Sequence, residues 1–238
     1  RDLLTRIIVG AQTTIFSALA LVAGITIIGT IVGIICGYVG GWIDSLLMRI
    51  SDIFLAFPEM VFAIAIAGVL NGGIWSAAIA VGLIAWPRYA RVARSQVLSM
   101  KNHQYMNAAK LTGTPWYKMI VKHIMPNIMG PIIVTAALDI GAMIMNLAGL
   151  SYLGLGVVPP TPEWGSMMSE GRSMLQTSPW IVLAPGLAIF ITVVIFNLLG
   201  DTVRDILDPK QKRRSITSNM KKVKNIVSGD SKREKSLV

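Results

Sequence analysis

The sequence predicts an all-α, polytopic transmembrane helical bundle, and three observations carry that prediction. Charged residues make up only 14% of the 238 residues, 53% are hydrophobic, and the mean hydropathy is +0.62. A soluble domain of this length carries about 25% charged residues. No charged residue occurs between Arg6 and Asp44, between Glu59 and Arg88, or between Arg172 and Asp201. Each gap exceeds the roughly 20 apolar residues needed to cross a bilayer core as helix. Helices are required because an open strand edge cannot be satisfied in lipid. The formal net charge of +10 raises nucleic-acid binding as a reading, but a basic soluble domain has no use for charge-free stretches this long. The single cysteine, Cys36, excludes a disulfide within the chain and any cysteine-based metal site.

Five spans follow in order: 12–36, 53–70, 74–93, 127–149 and 180–200. Trp42 to Asp52 precedes the second, with Ile43, Leu46, Leu47 and Ile50 at helical spacing. It reads as an amphipathic lead-in to the same helix, and Pro58 allows a kink. Asn71-Gly72-Gly73 is a turn signal between the second and third spans. Orientation follows from Lys and Arg. Segment 88–126 holds seven of them and no Asp or Glu, and the chain from Asp201 onward holds eleven, together eighteen of 22. Two spans separate these segments, so both lie on one side, the cytoplasmic one. The connection 150–179 carries only Arg172 and lies outside. Arg1 then falls outside as well, which predicts a sixth, N-terminal span missing from the sequence in hand. The domain organisation expected is a transmembrane domain over 1–208, with a cytoplasmic loop 94–126 and the external loop 150–179, followed by a basic, disordered cytoplasmic tail over 209–238. Lys210, Lys212, Arg213 and Arg214 in that tail suit contact with membrane lipid.

The cytoplasmic loop has internal signals of structure. Gln104 to Thr112 is a run of good helix formers with Ala108 and Ala109 adjacent. Gly113 stands where a helix C-terminal left-handed residue would. Thr114 offers an N-cap and Pro115 a first helical residue. Trp116, Met119, Ile120 and His123 recur at helical spacing, and Pro126 marks the start of the next span. Helix, glycine turn, helix with a small-residue face is a docking element rather than a catalytic one.

Asn107-Ala108-Ala109, then Gly113, then Met125-Pro126 resembles the EAA motif of ABC importer permeases. The sequence has Asn107 where that family usually has Glu, and His123 where the pattern often has Ile. Asp52-Ile53-Phe54-Leu55-Ala56-Phe57-Pro58, Trp86-Pro87-Arg88-Tyr89-Ala90-Arg91, Leu150 to Gly156, Pro159 to Gly165 and Asn197 to Asp201 look like the dipeptide, oligopeptide and nickel branch, and most like its second permease subunit. The resemblance implies the type I ABC importer permease fold. It also implies a second homologous permease subunit, two ATP-binding subunits that dock on Asn107, Ala108, Ala109, Gly113 and Pro126, and an extracytoplasmic substrate-binding protein. The cargo it implies is a short peptide or nickel. ATP and Mg would act on the partner subunits, with no cofactor in this chain and no nucleic-acid partner.

The residues themselves offer no catalysis. No Gly-rich phosphate loop of the Walker type occurs, and no nucleophile–base pair is visible. The chain reads as a transport subunit of the bacterial inner membrane. Ionisable residues within spans are functional candidates. Asp139, near the middle of the fourth span, either lines the pathway or makes a helix-to-helix hydrogen bond. Glu59 follows Pro58 at a helix start and is the second pathway candidate. Asp52 and Arg49, three residues apart, are placed to pair. Trp164 and Trp180 read as interface anchors. Met143, Met145, Met167, Met168 and Met174 read as apolar filling rather than metal ligands. The rival reading is a proton-coupled secondary transporter working through Asp139 or Glu59.

Overall fold

A computed structural model describes residues 2–207, and among them the chain is helical with no strand. The tail expected over 209–238 lies outside the described residues. Helix α1 runs Leu3–Val39. Asp2 caps it, accepting from the Leu4 amide at 3.1 Å and the Thr5 hydroxyl at 2.6 Å. It stops at Gly40 and Gly41, both at positive φ, a conformation that disfavours every residue with a Cβ. Helix α2 (Gly41–Ala56) follows and meets α3 (Glu59–Val69) at an angle of 95°. Phe57, forced into an extended conformation by the proline after it, makes the corner with Pro58. The lead-in 42–52 is thus continuous with the first residues of the expected span 53–70, and the break falls inside that span, at Phe57-Pro58. At 11 residues, α3 is about 16 Å long, about half a bilayer core.

Asn71, Gly72 and Gly73, all at positive φ, turn the chain into α4 (Ile74–Lys101). This helix covers the expected span 74–93 and continues through Arg94 to Lys101, so segment 88–126 is not a single loop. Arginine is a good helix former, and the acids that neutralise these arginines come from other elements. Helix α5 (Gln104–Leu111) forms the middle of the remaining loop. Helix α6 (Trp116–Met119) then passes through a π-helical turn, Ile120–Ile124, into α7 (Met125–Tyr152). The second loop helix and the fourth span are thus one run of 37 residues. Pro126 lies inside that run, and the π-turn beside it absorbs the hydrogen bond that its ring nitrogen cannot donate. Short α8 (Trp164–Gly171) tucks between α1, α7 and α9, and α9 (Trp180–Leu207) closes the bundle.

Helix α1, the α6–α7 run and α9 are long and apolar enough to cross a membrane, and the bent α2–α3 pair adds a fourth if it is one span. The expected third span falls on α4, which is not among these; it carries Arg88, Arg91, Arg94 and Lys101 and packs against α1 along most of its length. Gly29, Gly33 and Gly37 on α1 permit that packing. A Cβ on Gly29 would stand 2.7 Å from the Trp86 carbonyl, and one on Gly37 2.7 Å from the Val97 Cβ. Small residues four apart let helix backbones meet where lipid offers no hydrophobic drive between helices. Two apolar clusters fill the bundle. One includes Leu21, Ile25, Ile84, Tyr89, Ile144 and Leu147. The other, at the end of the bundle that carries α5, includes Ile34, Val97, Met106, Met119, Ile124 and Ile128.

Candidate functional site

The loop between α4 and the α6–α7 run is held by one side chain. Met106 is fully buried among Val97, Met100 and Met119, which fastens α5 beneath the ends of α4 and α6. With Met106 inward, Asn107 and Ala108 face outward, Ala109 is half-buried, and Leu111 is 89% exposed. Helix α5 closes with a Schellman turn. Gly113 has φ +71°, and the Thr114 amide donates to the Ala109 carbonyl at 3.1 Å. A Cβ on Gly113 would touch nothing within 4 Å, so the glycine answers to backbone conformation and not to space. Pro115, not Thr114, occupies the N-cap of α6, and Trp116 is the first helical residue. Tyr105 bridges the loop's two histidines, 5.7 Å from the His103 ring and 6.3 Å from that of His123. Asn107, Ala108 and Gly113 thus form one exposed knuckle. Pro126, about 15 Å further along the run from Trp116, is exposed but belongs to the span.

Three arginines on α4, spaced at i, i+3 and i+6, each hold an acid from another element. Arg94 makes a two-pronged pair with Asp44 at 2.5 and 2.7 Å, and Arg91 meets Asp52 at 2.5 Å. Asp52 therefore pairs across helices and not with Arg49. Lys101 donates to the Tyr38 carbonyl at 2.8 Å, satisfying the C-terminal end of α1. Sequence reasoning counted these residues as loop charge. The basic repeat at helical spacing was the available signal for a helix face.

Asp139 and Glu59 lie toward one face of α7. Asp139 is 8% exposed in its side chain and accepts from Arg88 at 2.6 Å, which joins α7 to α4. Its other carboxylate oxygen is buried without a hydrogen-bond partner of good geometry, with Tyr89 beside it. Glu59 is the first residue of α3, as expected, and accepts from the Asn146 amide at 2.9 Å. Both carboxylates thus take part in helix-to-helix contacts.

The connection 150–179 is more ordered than an anchor reading implies. Trp164 is 3% exposed, and its indole donates to the Ile7 carbonyl at 2.9 Å, so it is packed inside the bundle while Trp180 stays exposed. Glu163 caps α8, accepting from the Gly165 and Ser166 amides at 3.0 and 2.8 Å. Burial pushes its carboxyl above the ordinary carboxylate range, partly offset by those hydrogen bonds. Arg6 pairs with Glu170 at 2.9 Å and ties α8 to α1. Met143 and Met167 are buried in the main cluster, and Met145 and Met174 are exposed.

Residues 29–213 match the binding-protein-dependent transport system inner membrane component family. The chain belongs to that family. It is 44% identical over 212 residues to the dipeptide transport system permease protein DppC of Alkalihalophilus pseudofirmus, covering 89% of this chain and 70% of that protein. It is 43% identical, with the same coverage, to the glutathione transport system permease protein GsiD of Escherichia coli O6:K15:H31. Among solved structures it is similar to a chain of the inward-facing MetNI methionine ABC transporter. The TM-score is 0.60 at 15% identity, over 84% of this chain and 96% of that one. A second crystal form gives 0.62 at 16% identity, over 87% and 96%. At that identity the likeness shows the fold, the type I ABC importer permease fold. The permease is a multi-pass membrane transport subunit and not an enzyme. Its family gives the proton-coupled reading no support.

Proposed function

We propose that this permease is the membrane-spanning subunit of an ATP-driven importer in the bacterial inner membrane, and that it translocates short peptides handed over by an extracytoplasmic binding protein. The observation that carries the coupling part is the α5 knuckle. Asn107, Ala108 and the nearly bare Leu111 project outward while Met106 pins the helix from behind. A lone exposed leucine needs no partner, but Leu111 shares its short loop with exposed Tyr105, Trp116 and Tyr117, and apolar surface gathered in this way is of the kind a partner covers. In this reading α5 seats in one of two ATP-binding subunits, which carry ATP and Mg. A second homologous permease subunit completes the pathway. Short peptides are favoured as cargo because the relatives bear dipeptide and glutathione in their names. Nickel is the other cargo that the sequence resemblance suggests.

Copurification tests the assembly. Affinity-tagged permease is expected to retain a nucleotide-binding subunit, and Ala108→Trp to reduce that retention while the membrane bundle stays folded. Purified permease that transports on a proton gradient alone would sink the reading. Uptake of labelled dipeptides and of labelled nickel in a deletion strain, with and without this chain, assigns the cargo.

A further inference from the structure

The structure places a base and an acid along one polar stripe within the bundle. On α7, Thr135, Asp139, Ala142 and Asn146 recur at i, i+4, i+7 and i+11, so they share a face, and between positions 131 and 149 the rest of the helix is apolar. Arg88 joins the stripe at Asp139 and Glu59 joins it at Asn146. The Arg88 side chain is 61% exposed although it lies midway along α4. A guanidinium at that depth is costly against lipid and belongs against a wet pathway or a partner. Asp139 holds only one of its nitrogens, Nη1. The other donors of the planar fork remain directed by that anchor. Glu59 is likewise exposed, with one oxygen engaged by Asn146.

We infer that Arg88, oriented by buried Asp139, receives the C-terminal carboxylate of a short peptide in the pathway, and that Glu59, oriented by Asn146, receives its ammonium end. This rests on the peptide reading above. Asp139 and Asn146 are two turns apart, about 10 Å along the helix. An extended peptide of two or three residues spans about 7 to 10 Å between its ends. The spacing of the two anchors therefore matches the length of a short zwitterion, the two charges match it in sign, and a blocked terminus would forfeit one charge-assisted contact.

The test uses the transporter assembled from this chain with its own partner subunits and binding protein. Ala142→Cys places a thiol on the stripe, and the chain's one natural cysteine, Cys36, is buried. A hydrophilic thiol reagent should label Cys at 142. Trialanine should slow that labelling, and trialanine amide, with its carboxylate blocked, should slow it at least about tenfold less effectively. Adding Arg88→Gln should erase the difference between acid and amide, and Arg88→Lys should restore part of it. Glu59→Gln should do the same for N-acetyl trialanine against trialanine. Failure of the reagent to label position 142, equal protection by acid and amide, or an acid–amide difference that survives Arg88→Gln would overturn the inference. Peptide uptake together with equal protection overturns this inference alone. No peptide uptake at all overturns the peptide reading and this inference with it.

Discussion

Gly33→Ala should destabilise the permease out of proportion to the single methyl group it adds. The new Cβ would stand 2.6 Å from the Ala93 Cβ and 3.0 Å from the Arg94 amide nitrogen, and closer still to the Ala90 carbonyl. Apolar carbons rest at about 3.5 to 4.0 Å, so α1 and α4 would have to part by about 1 Å. Two of the three atoms met belong to the backbone, so no rotamer change relieves the clash. Overpacking of this kind costs about 1–3 kcal/mol, equivalent to a five- to 150-fold shift in the folding equilibrium. The displacement would also draw Arg94 from Asp44 and disturb the Val97 and Met100 packing that seats Met106. Unfolding of the detergent-solubilised permease in mixed micelles reads the cost directly. Gly24→Ala is the control, because a Cβ there meets nothing within 4 Å. It should be neutral or stabilising, since alanine outranks glycine in a helix. Equal stability of the Gly33 and Gly24 variants would refute the close-packing argument.

Met106→Ala should release α5, at a cost of about 2–5 kcal/mol for a buried methionine, and protease cleavage within 102–115 should accelerate while the membrane helices stay protected. Asp44→Asn removes the charge-assisted pair with Arg94, worth about 1.5–3 kcal/mol, and should speed amide exchange over α2 (41–56) more than over α1. Burial raises the Glu163 carboxyl above its ordinary value near 4.5, so the folded chain holds that proton more tightly than the unfolded one. The contribution is complete below pH 4.5 and is lost as pH rises through the folded-state value. Glu163→Gln should flatten that dependence in a pH series of melting temperatures.

The helical, membrane-spanning character of the chain was legible because lipid imposes long charge-free runs, and α5 with its Gly113 turn was legible because capping chemistry is local. What escaped was tertiary. The partners of Arg88, Arg91 and Arg94 lie 51, 39 and 50 residues away in sequence. A charge count therefore says nothing of their pairing. From the sequence Trp164 reads as an interface anchor because nothing local shows that Ile7 offers it a carbonyl. The 95° corner at Phe57-Pro58 was foreseen only as a kink, since proline fixes a local dihedral and leaves the path beyond it to packing. In the candidate site, Asn107, Ala108 and Gly113 emerged from the motif. The Arg88 fork emerged only once α4 and α7 were seen side by side.

The π-helical turn at Ile120–Ile124 gives the long run a fulcrum. On one side is the four-residue stub of α6, whose Met119 shares a buried cluster with Met106 of α5. On the other is the 28-residue length of α7, about 42 Å. Single π-turns inside α-helices are frequent at functional sites. A tilt of about 10° at that point would swing the far end of α7 by about 7 Å. A motion of roughly an ångström at the α6 end would then reach the far end of α7 several-fold enlarged, and the stripe bearing Asp139 and Asn146 would travel with it.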